Sequence, residues 1–109
     1  MNVVITPNHL KGDVVIPPSK SLSHRAIIAA SLAEGDSVIS NVLLSNDIIA
    51  TINGMRACGA RIDIDGDKLY IKGSRVIRKE NIIDANESGS TIRFMIPIAL
   101  VSSEPITFI

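Results

Sequence analysis

The most informative stretch of the sequence is PPSKSLSHR, residues 17–25. It lies between a short apolar run at 14–16 and a long apolar helical pattern at 26–33, so it marks a junction between a strand and a helix. The first turn of a helix leaves four backbone N–H groups unpaired, and this junction adds hydroxyls, a lysine and an arginine but no carboxylate. A positive helix end with extra cations favours a bound anion. The sequence therefore predicts an anion site at Lys20 and Arg25.

Composition narrows the function classes. The chain has 109 residues, which allows one domain at most, and its 11 basic and 11 acidic residues balance. With three aromatic residues and no basic excess, nucleic acid is not an expected partner. The lone Cys58 excludes an internal disulfide and argues against a cysteine metal cluster. No secretory leader or membrane-spanning run is recognisable, so a cytoplasmic protein without a membrane partner is expected.

Hydrophobic periodicity and turn residues divide the chain into alternating strands and helices. The predicted strands are 3–6, 12–16, 37–41, 61–65, 68–72, 82–83 and 106–109, and the predicted helices begin near residues 21, 45 and 88. Ser21 or Ser23 is the expected cap of the first helix, and Asp47 that of the second. Residues 61–72 form a hairpin around Gly66. This order of elements indicates an α/β fold.

An internal repeat supports that fold. Residues 14–39 resemble residues 82–107 when the two segments are aligned with an offset of 68. Each copy has an apolar strand, a hydroxyl-rich turn, an arginine (Arg25 or Arg93), an apolar helix and a second strand. The period is longer than that of solenoid proteins and favours a unit used more than once. If the two helix starts converge, two positive helix ends face one anionic site.

Simpler explanations remain open from spacing alone. Lys20 and Arg25 are equally compatible with a solvated helix start, and capping accounts for Ser90 without a ligand. Arg93 lies in an apolar helix, where a buried ion pair competes with a ligand role. His24 is expected on a helix surface. No spacing typical of a nucleotide cofactor or metal site is present, so neither is expected.

The junction string resembles the substrate motif of the 5-enolpyruvylshikimate-3-phosphate synthase family, the 3-phosphoshikimate 1-carboxyvinyltransferases. The similarity covers the whole chain and includes ISNVLLSNDIIATINGMRACGARI at 39–62 and SGSTIR at 88–93. The sister family that acts on UDP-N-acetylglucosamine carries Lys-Asn at the junction, so Ser21 after Lys20 favours the shikimate family. The chain departs from the family at Glu87, where Asn is usual.

The resemblance implies an inside-out α/β barrel built from βαβαββ units, with buried parallel helices whose N-termini face the cleft between two domains. The chain would be a partial enolpyruvyl transferase domain, residues 1–109, with 10–73 as the first βαβαββ unit and 82–109 as the start of a second. The nearly all-apolar third helix fits a buried position. The chain would be an N-terminal fragment of the whole enzyme.

The resemblance also implies roles for five residues. Lys20 would contact both substrates and stabilise the charged transition state, and so act as the catalytic residue of this segment. Ser21 and Arg25 would bind shikimate-3-phosphate, Arg25 through its carboxylate. Gly89 and Ser90 would line the phosphoenolpyruvate pocket, where a missing side chain admits a phosphate.

The implied reaction transfers the enolpyruvyl group from phosphoenolpyruvate to shikimate-3-phosphate, a step of aromatic amino acid biosynthesis, with no cofactor. The carboxylates that handle protons in this family lie in the other domain, so the 109-residue chain is expected to be inactive alone. The whole enzyme is expected to be a monomer, whereas the fragment is expected to self-associate through uncovered apolar surface. Alternatives are the UDP-N-acetylglucosamine enolpyruvyl transferase and a non-catalytic anion-binding module.

Overall fold

The computed structural model describes all of residues 1–109. The elements follow one another in the order α1 (Lys20–Leu32), β1 (Gly35–Ile39), α2 (Asn46–Ala57), β2 (Arg61–Asp65), β3 (Lys68–Gly73), β4 (Ile82–Ile83), α3 (Gly89–Ala99) and β5 (Thr107–Phe108). Helices and strands alternate along most of the chain, which confirms the predicted α/β class.

Three strands form an antiparallel sheet in the order β1-β3-β2. Strands β2 and β3 are the predicted hairpin, with Asp65 opposite Lys68 and Gly66 in the turn at φ +57°. Ile62 lies opposite Ile71, and both are buried because this face of the sheet packs against the helices. The predicted hairpin is therefore present, and Ile62, Leu69 and Ile71 line its covered face, whereas Ile64 is 38 % exposed.

A second, two-stranded sheet pairs β4 with β5 in parallel, with Ile83 opposite Phe108. Parallel neighbours need a crossover connection, and α3 provides it. This β4-α3-β5 arrangement agrees with the strand, helix and strand predicted for the last third of the chain. The final strand is shorter than predicted, at Thr107–Phe108.

Helix α2 is the centre of the molecule. It packs against α1, α3, β2 and β4, and seven of its 12 residues are buried. The main hydrophobic core contains Ile27, Val42, Ile48, Ile52, Met55, Ala57, Cys58, Ala60, Ile62, Leu69, Ile71, Ile83, Met95 and Ile98. Because α2 lies between the other two helices, it determines their spacing.

Helix α3 is buried on one side only. Its buried residues are Thr91, Met95 and Ile98, all on one side, while Ile96 is 46 % exposed. The composition of the helix is apolar all round, but this chain provides a packing partner, α2, for one face only. An uncovered apolar face is what the sequence predicts for a fragment, and the buried position implied for the whole enzyme stays a prediction.

The strands predicted at 3–6 and 12–16 are absent. No residue of the segment 1–18 donates or accepts a backbone hydrogen bond to another backbone group, and the apolar side chains of both stretches are exposed. A strand exists only where a neighbour pairs with it, and no strand of this chain lies beside these residues. The radius of gyration, 17.3 Å, exceeds the value of about 13 Å expected for a compact domain of this length.

Gly73 allows β3 to end against α1. A Cβ at this position would overlap the carbonyl oxygens of Ala30 and Ala33. Next to it, the Ser74 amide donates to the Ser31 carbonyl at 3.0 Å. The glycine therefore permits a backbone-to-backbone approach that orients α1 over the sheet.

Candidate anion-binding site

Helix α1 is capped one turn earlier than predicted. The Ser19 hydroxyl accepts from the Leu22 amide at 3.3 Å, so neither Ser21 nor Ser23 is the cap. Ser23 is buried and donates back to the Ser19 carbonyl at 2.9 Å. With the cap at Ser19, the N–H groups of Lys20 and Ser21 have no acceptor in the chain and are available to a ligand.

Lys20 connects α1 to α2 through an ion pair with Asp47. The lysine side chain is 55 % exposed and the aspartate side chain 27 % exposed. Asp47 was predicted to cap α2, but the cap is Ser45, whose hydroxyl accepts from the Ile48 amide at 3.4 Å. Asp47 instead orients a mostly exposed ammonium group at the helix mouth.

Arg25 is held from two sides. Its Nη1 donates to the Ser21 carbonyl at 3.0 Å and contacts the Ser21 hydroxyl. Its guanidinium carbon lies 5.2 Å from the centre of the Phe94 ring on α3, a cation–π distance. Its Nε and Nη2 make no hydrogen bond in the chain, so one edge of the guanidinium is available to a carboxylate.

The start of α3 presents backbone rather than charge. The Ser88 hydroxyl caps the helix by accepting from the Thr91 amide at 3.1 Å. Gly89 and Ser90 are exposed, and their N–H groups have no acceptor in the chain. A Cβ at Gly89 would have no atom within 4 Å, so the space beside this amide is open.

The three helix starts meet at Asp47. Its carboxylate pairs with Lys20 on α1, and its backbone carbonyl accepts from the Thr91 hydroxyl on α3 at 3.2 Å. Lys20 pairs with Asp47 on α2, and Arg25 contacts Phe94 on α3, so each cation contacts a neighbouring helix. The positive ends of three helices, two cations and four free amides therefore share one end of the helix layer.

The two arginines of the internal repeat are not equivalent. Counted from the caps Ser19 and Ser88, Arg25 is the sixth residue and Arg93 the fifth, which separates them by about 100° around the helix axis. Arg93 is exposed and makes no ion pair, neither with Glu87 nor with a buried carboxylate. The alignment of helix caps, rather than arginines, is therefore the structural correspondence.

His24 was predicted to lie on the helix surface, but it is buried. It is 1 % exposed, and its Nδ1 lies 2.8 Å from the Thr51 hydroxyl oxygen on α2. Burial lowers the pKa of His24 below its ordinary 6.5, while Asp47 opposes that shift. Thr51, Thr91 and Phe94 were not predicted as site residues, because each occupies a position that the helical pattern assigns to packing. The signal that was available is a pair of threonine hydroxyls on otherwise apolar helix faces.

A separate cavity is lined by other residues. Its volume is about 450 Å³, and it is lined by α2 and residues 80–86, including Asn53, Arg56 and Glu80. None of Lys20, Ser21, Arg25, Gly89 and Ser90 lines it. The candidate site is instead an open surface at the helix starts.

The family model described as EPSP synthase (3-phosphoshikimate 1-carboxyvinyltransferase) matches residues 4–108. The chain belongs to the EPSP synthase family. A 3-phosphoshikimate 1-carboxyvinyltransferase of Clostridium perfringens is 55 % identical over 109 residues, which cover 98 % of this chain and 26 % of the relative. The protein of the same name from Clostridioides difficile is 50 % identical, with coverage of 88 % and 24 %.

Solved structures agree with this assignment. An EPSP synthase from Acinetobacter baumannii matches with a TM-score of 0.72 and 25 % identity, covering 81 % of this chain and 21 % of that chain. The chain thus spans about a quarter of the length of the curated EPSP synthase relatives that it matches. No helix is both long and apolar enough to cross a bilayer; the cytoplasmic location stays a prediction.

Proposed function

We propose that the protein containing this chain transfers the enolpyruvyl group of phosphoenolpyruvate to the 5-hydroxyl of shikimate-3-phosphate. The hydroxyl loses its proton as its oxygen adds to the enol carbon, and the neighbouring methylene carbon takes up a proton to give a tetrahedral adduct. The adduct then loses phosphate and one proton of the new methyl group, which restores the double bond. The names of the relatives support this activity. The observation in this chain that carries the proposal is the meeting of three helix starts at Asp47, with Lys20 and Arg25 beside them.

Lys20 is the proposed catalytic residue. Its ammonium group stands at the mouth of α1, mostly exposed and oriented by Asp47, where a phosphate or carboxylate of either substrate can reach it. Pairing with a neighbouring carboxylate keeps the lysine in place before the substrates bind. A cation fixed in advance stabilises charge that develops in the transition state without reorganisation.

Ser21 and Arg25 are proposed to bind shikimate-3-phosphate. Arg25 retains Nε and Nη2 for a planar, two-point contact with the carboxylate. Ser21 occupies the Nη1 side of the guanidinium, and the Phe94 ring lies against one of its flat faces. The Ser21 amide adds a donor beside the guanidinium. Together these donors would bind the carboxylate end of shikimate-3-phosphate.

Gly89 and Ser90 are proposed to bind phosphoenolpyruvate. Their amides are free, and the open space beside Gly89 lets a phosphate approach the backbone. Ser90 adds an exposed hydroxyl next to these amides. Because α3 brings no cation in contact with this start, the charge on phosphoenolpyruvate would be balanced by Lys20.

The chain is proposed to hold only part of the substrate site, as a partial domain with residues 10–73 and 82–109 in successive βαβαββ units of an inside-out barrel. In the family that the chain resembles, the carboxylates that handle protons lie in the other domain, and Asp47 in this chain is paired with Lys20. The isolated chain would therefore be inactive. It would also self-associate through the exposed apolar face of α3, whereas the whole enzyme would be a monomer.

Phosphate release by the full-length enzyme tests the proposal. Wild-type enzyme should release phosphate from phosphoenolpyruvate only when shikimate-3-phosphate is present, and Lys20→Ala should lower kcat by roughly a hundredfold or more. Lys68→Ala, an exposed lysine on β3 away from the helix starts, is the matched control and should turn over normally. Near-normal turnover by Lys20→Ala would refute the assigned role.

Two further assays separate the alternatives. Turnover with UDP-N-acetylglucosamine in place of shikimate-3-phosphate would identify the sister transferase instead. Saturable, tight binding of shikimate-3-phosphate to the isolated 109-residue chain, followed by NMR, would favour a stand-alone anion-binding module. Weak or undetectable binding is expected, because most of the site would be missing.

A further inference from the structure

Four buried polar side chains form a continuous row across the three helices. His24 Nδ1 lies 2.8 Å from the Thr51 hydroxyl, which lies 2.8 Å from the Thr91 hydroxyl, which in turn lies 2.7 Å from the Ser88 hydroxyl. The four residues are between 0 % and 1 % exposed. We call this set the buried polar row.

The buried polar row stabilises the folded protein less than apolar side chains of the same shape would. Taking hydroxyl and imidazole groups out of water is unfavourable unless each is hydrogen-bonded, and apolar groups of the same shape can replace both partners of such a bond with little loss. Valine has nearly the shape of threonine and would fill the sites of Thr51 and Thr91. Directional bonds, unlike apolar contacts, specify one register between helices. The row therefore suits a positioning role better than a purely stabilising one.

Each end of the row adjoins a proposed substrate-binding residue. His24 precedes Arg25 on α1, Thr91 follows Ser90 on α3, and Ser88 precedes Gly89. The row also borders Asp47, whose carbonyl accepts from the Thr91 hydroxyl. No member of the row is exposed at the open face, so none can touch a substrate.

The direction of the row depends on the tautomer of His24. If Nδ1 carries the proton, it donates to Thr51, Thr51 donates to Thr91, and Thr91 donates to Ser88 or to the Asp47 carbonyl. The opposite tautomer reverses the first two bonds and requires Ser88 to donate. In either case His24 is neutral, and its Nε2 has no partner. Protonation would leave an unpaired buried N–H, in agreement with the lowered pKa of His24.

We propose that the buried polar row is a positioning device that holds the start of α1, with Lys20 and Arg25, in register with the start of α3, with Gly89 and Ser90. This inference rests on the proposed function, because the register matters only if the two starts hold the two substrates of one reaction. His24, Thr51 and Thr91 are positioning residues and not catalytic ones.

Paired substitutions at Thr51 in the full-length enzyme test the proposal. Thr51→Val keeps the shape and removes the hydroxyl, whereas Thr51→Ser keeps the hydroxyl and removes a methyl group. Positioning predicts that Thr51→Val lowers kcat/KM for phosphoenolpyruvate roughly tenfold, since small displacements of reacting groups are costly, and that Thr51→Ser stays within about twofold. Both substitutions should lower the thermal unfolding temperature, because valine leaves His24 Nδ1 and the Thr91 hydroxyl without a partner and serine leaves a gap.

A structural role alone predicts that a variant that stays folded keeps its activity, so folded Thr51→Val and Thr51→Ser would then have equal kcat/KM. That result, or wild-type kcat/KM in Thr51→Val, would overturn the proposal. If Thr51→Val does not fold, Thr91→Val and Thr91→Ser repeat the comparison at the next link, with the same expected order.

Side-chain ¹⁵N NMR of His24 separates failure of this inference from failure of the proposed function. In the folded enzyme, Thr51→Val should shift the Nδ1 resonance and Thr51→Ser should not, whether or not the enzyme turns over shikimate-3-phosphate. An Nδ1 resonance that is the same in wild type and Thr51→Val would rule out the row. Absence of turnover in wild type with the expected resonance change would reject the proposed function while leaving the row intact.

Discussion

The starts of α1 and α3 have the same cap but opposite chemistry. In each, a serine hydroxyl accepts from the amide three residues later, at 3.3 Å for Ser19 and 3.1 Å for Ser88. Ser19 is exposed and is followed by Lys20, whereas Ser88 is fully buried and is followed by Gly89. One start therefore presents charged side chains and the other presents bare backbone.

Burial explains the difference. A cation is costly to remove from water, so Lys20 and Arg25 occur where the helix start is solvated. The start of α3 is held against α2 by Thr91 and Ser88, and its free amides supply positive potential without a charged side chain. Substitutions at the two helix starts, compared by the same measurement, test whether the difference between charged side chains and bare backbone matters for function.

The largest effect is expected at the charged start. Arg25→Lys removes the planar two-point donor and the contact with Phe94, so the KM for shikimate-3-phosphate should rise roughly tenfold or more. Steady-state kinetics of the full-length enzyme measure this. Arg93→Lys is the matched control at the neutral start and should leave KM unchanged, because Arg93 is exposed and unpaired. Equal effects of the two substitutions would remove the distinction between the starts.

The neutral start should respond to added bulk instead of lost charge. Gly89→Ala places a methyl group in open space, so folding should be unaffected or slightly improved by alanine's helix propensity. The KM for phosphoenolpyruvate should nevertheless rise several-fold, about fivefold, because a phosphate can no longer approach the amide. Ser90→Ala, which adds no bulk, should have the smaller effect. An unchanged KM in Gly89→Ala would show that the open space is not the phosphate site.

The two helix caps should contribute unequally to the free energy of unfolding. Ser88→Ala removes a buried hydroxyl that bonds both an amide and Thr91, and should lower the free energy of unfolding by about 1–2 kcal/mol. Ser19→Ala removes one exposed cap and should lower it by about 0.5–1 kcal/mol. Denaturant unfolding of the full-length variants compares them directly. A reversed order would mean that solvent exposure does not control the strength of these caps.

The smallest effect concerns pH. Because burial lowers the pKa of His24 below 6.5, the unfolded state binds a proton at a higher pH than the folded state. Stability should therefore decrease as the pH falls below about 6.5, and this loss should stop once the folded-state pKa is passed. His24→Gln should show a shallower decrease over that window in thermal unfolding. Parallel pH dependence of wild type and His24→Gln would mean that His24 is not held neutral by burial.

Local pattern was enough for most elements of the fold. The 2-residue alternation of Arg61–Asp65 and Lys68–Gly73 predicted the hairpin, and the helical spacing after Ser45 predicted α2, because these patterns bury one face of a locally hydrogen-bonded element. The stretch 12–16 has a comparable apolar pattern but is not a strand, since strand formation also needs a neighbour. The caps of α1 and α2 were predicted two to four residues too late, because several polar residues compete for each position.

Among the proposed site residues, Lys20 and Arg25 were recognisable from sequence because cations without nearby acids at a helix start have a direct electrostatic meaning. Asp47, Phe94 and the buried polar row were not. Their importance comes from contacts between residues 27 to 69 positions apart, such as His24 with Thr51 and Arg25 with Phe94. A capping aspartate, a core phenylalanine and a buried threonine have the same local pattern whether or not they meet such a partner.

Local patterning is enough to establish an α/β chain with hydroxyl-rich helix starts and with cations at one of them, because periodicity and capping are local properties of the backbone. The convergence of three helix starts on Asp47 and the burial of His24 become visible only in the folded chain. Those outcomes depend on how α2 packs between α1 and α3, and packing is a property of surfaces that lie far apart in the chain.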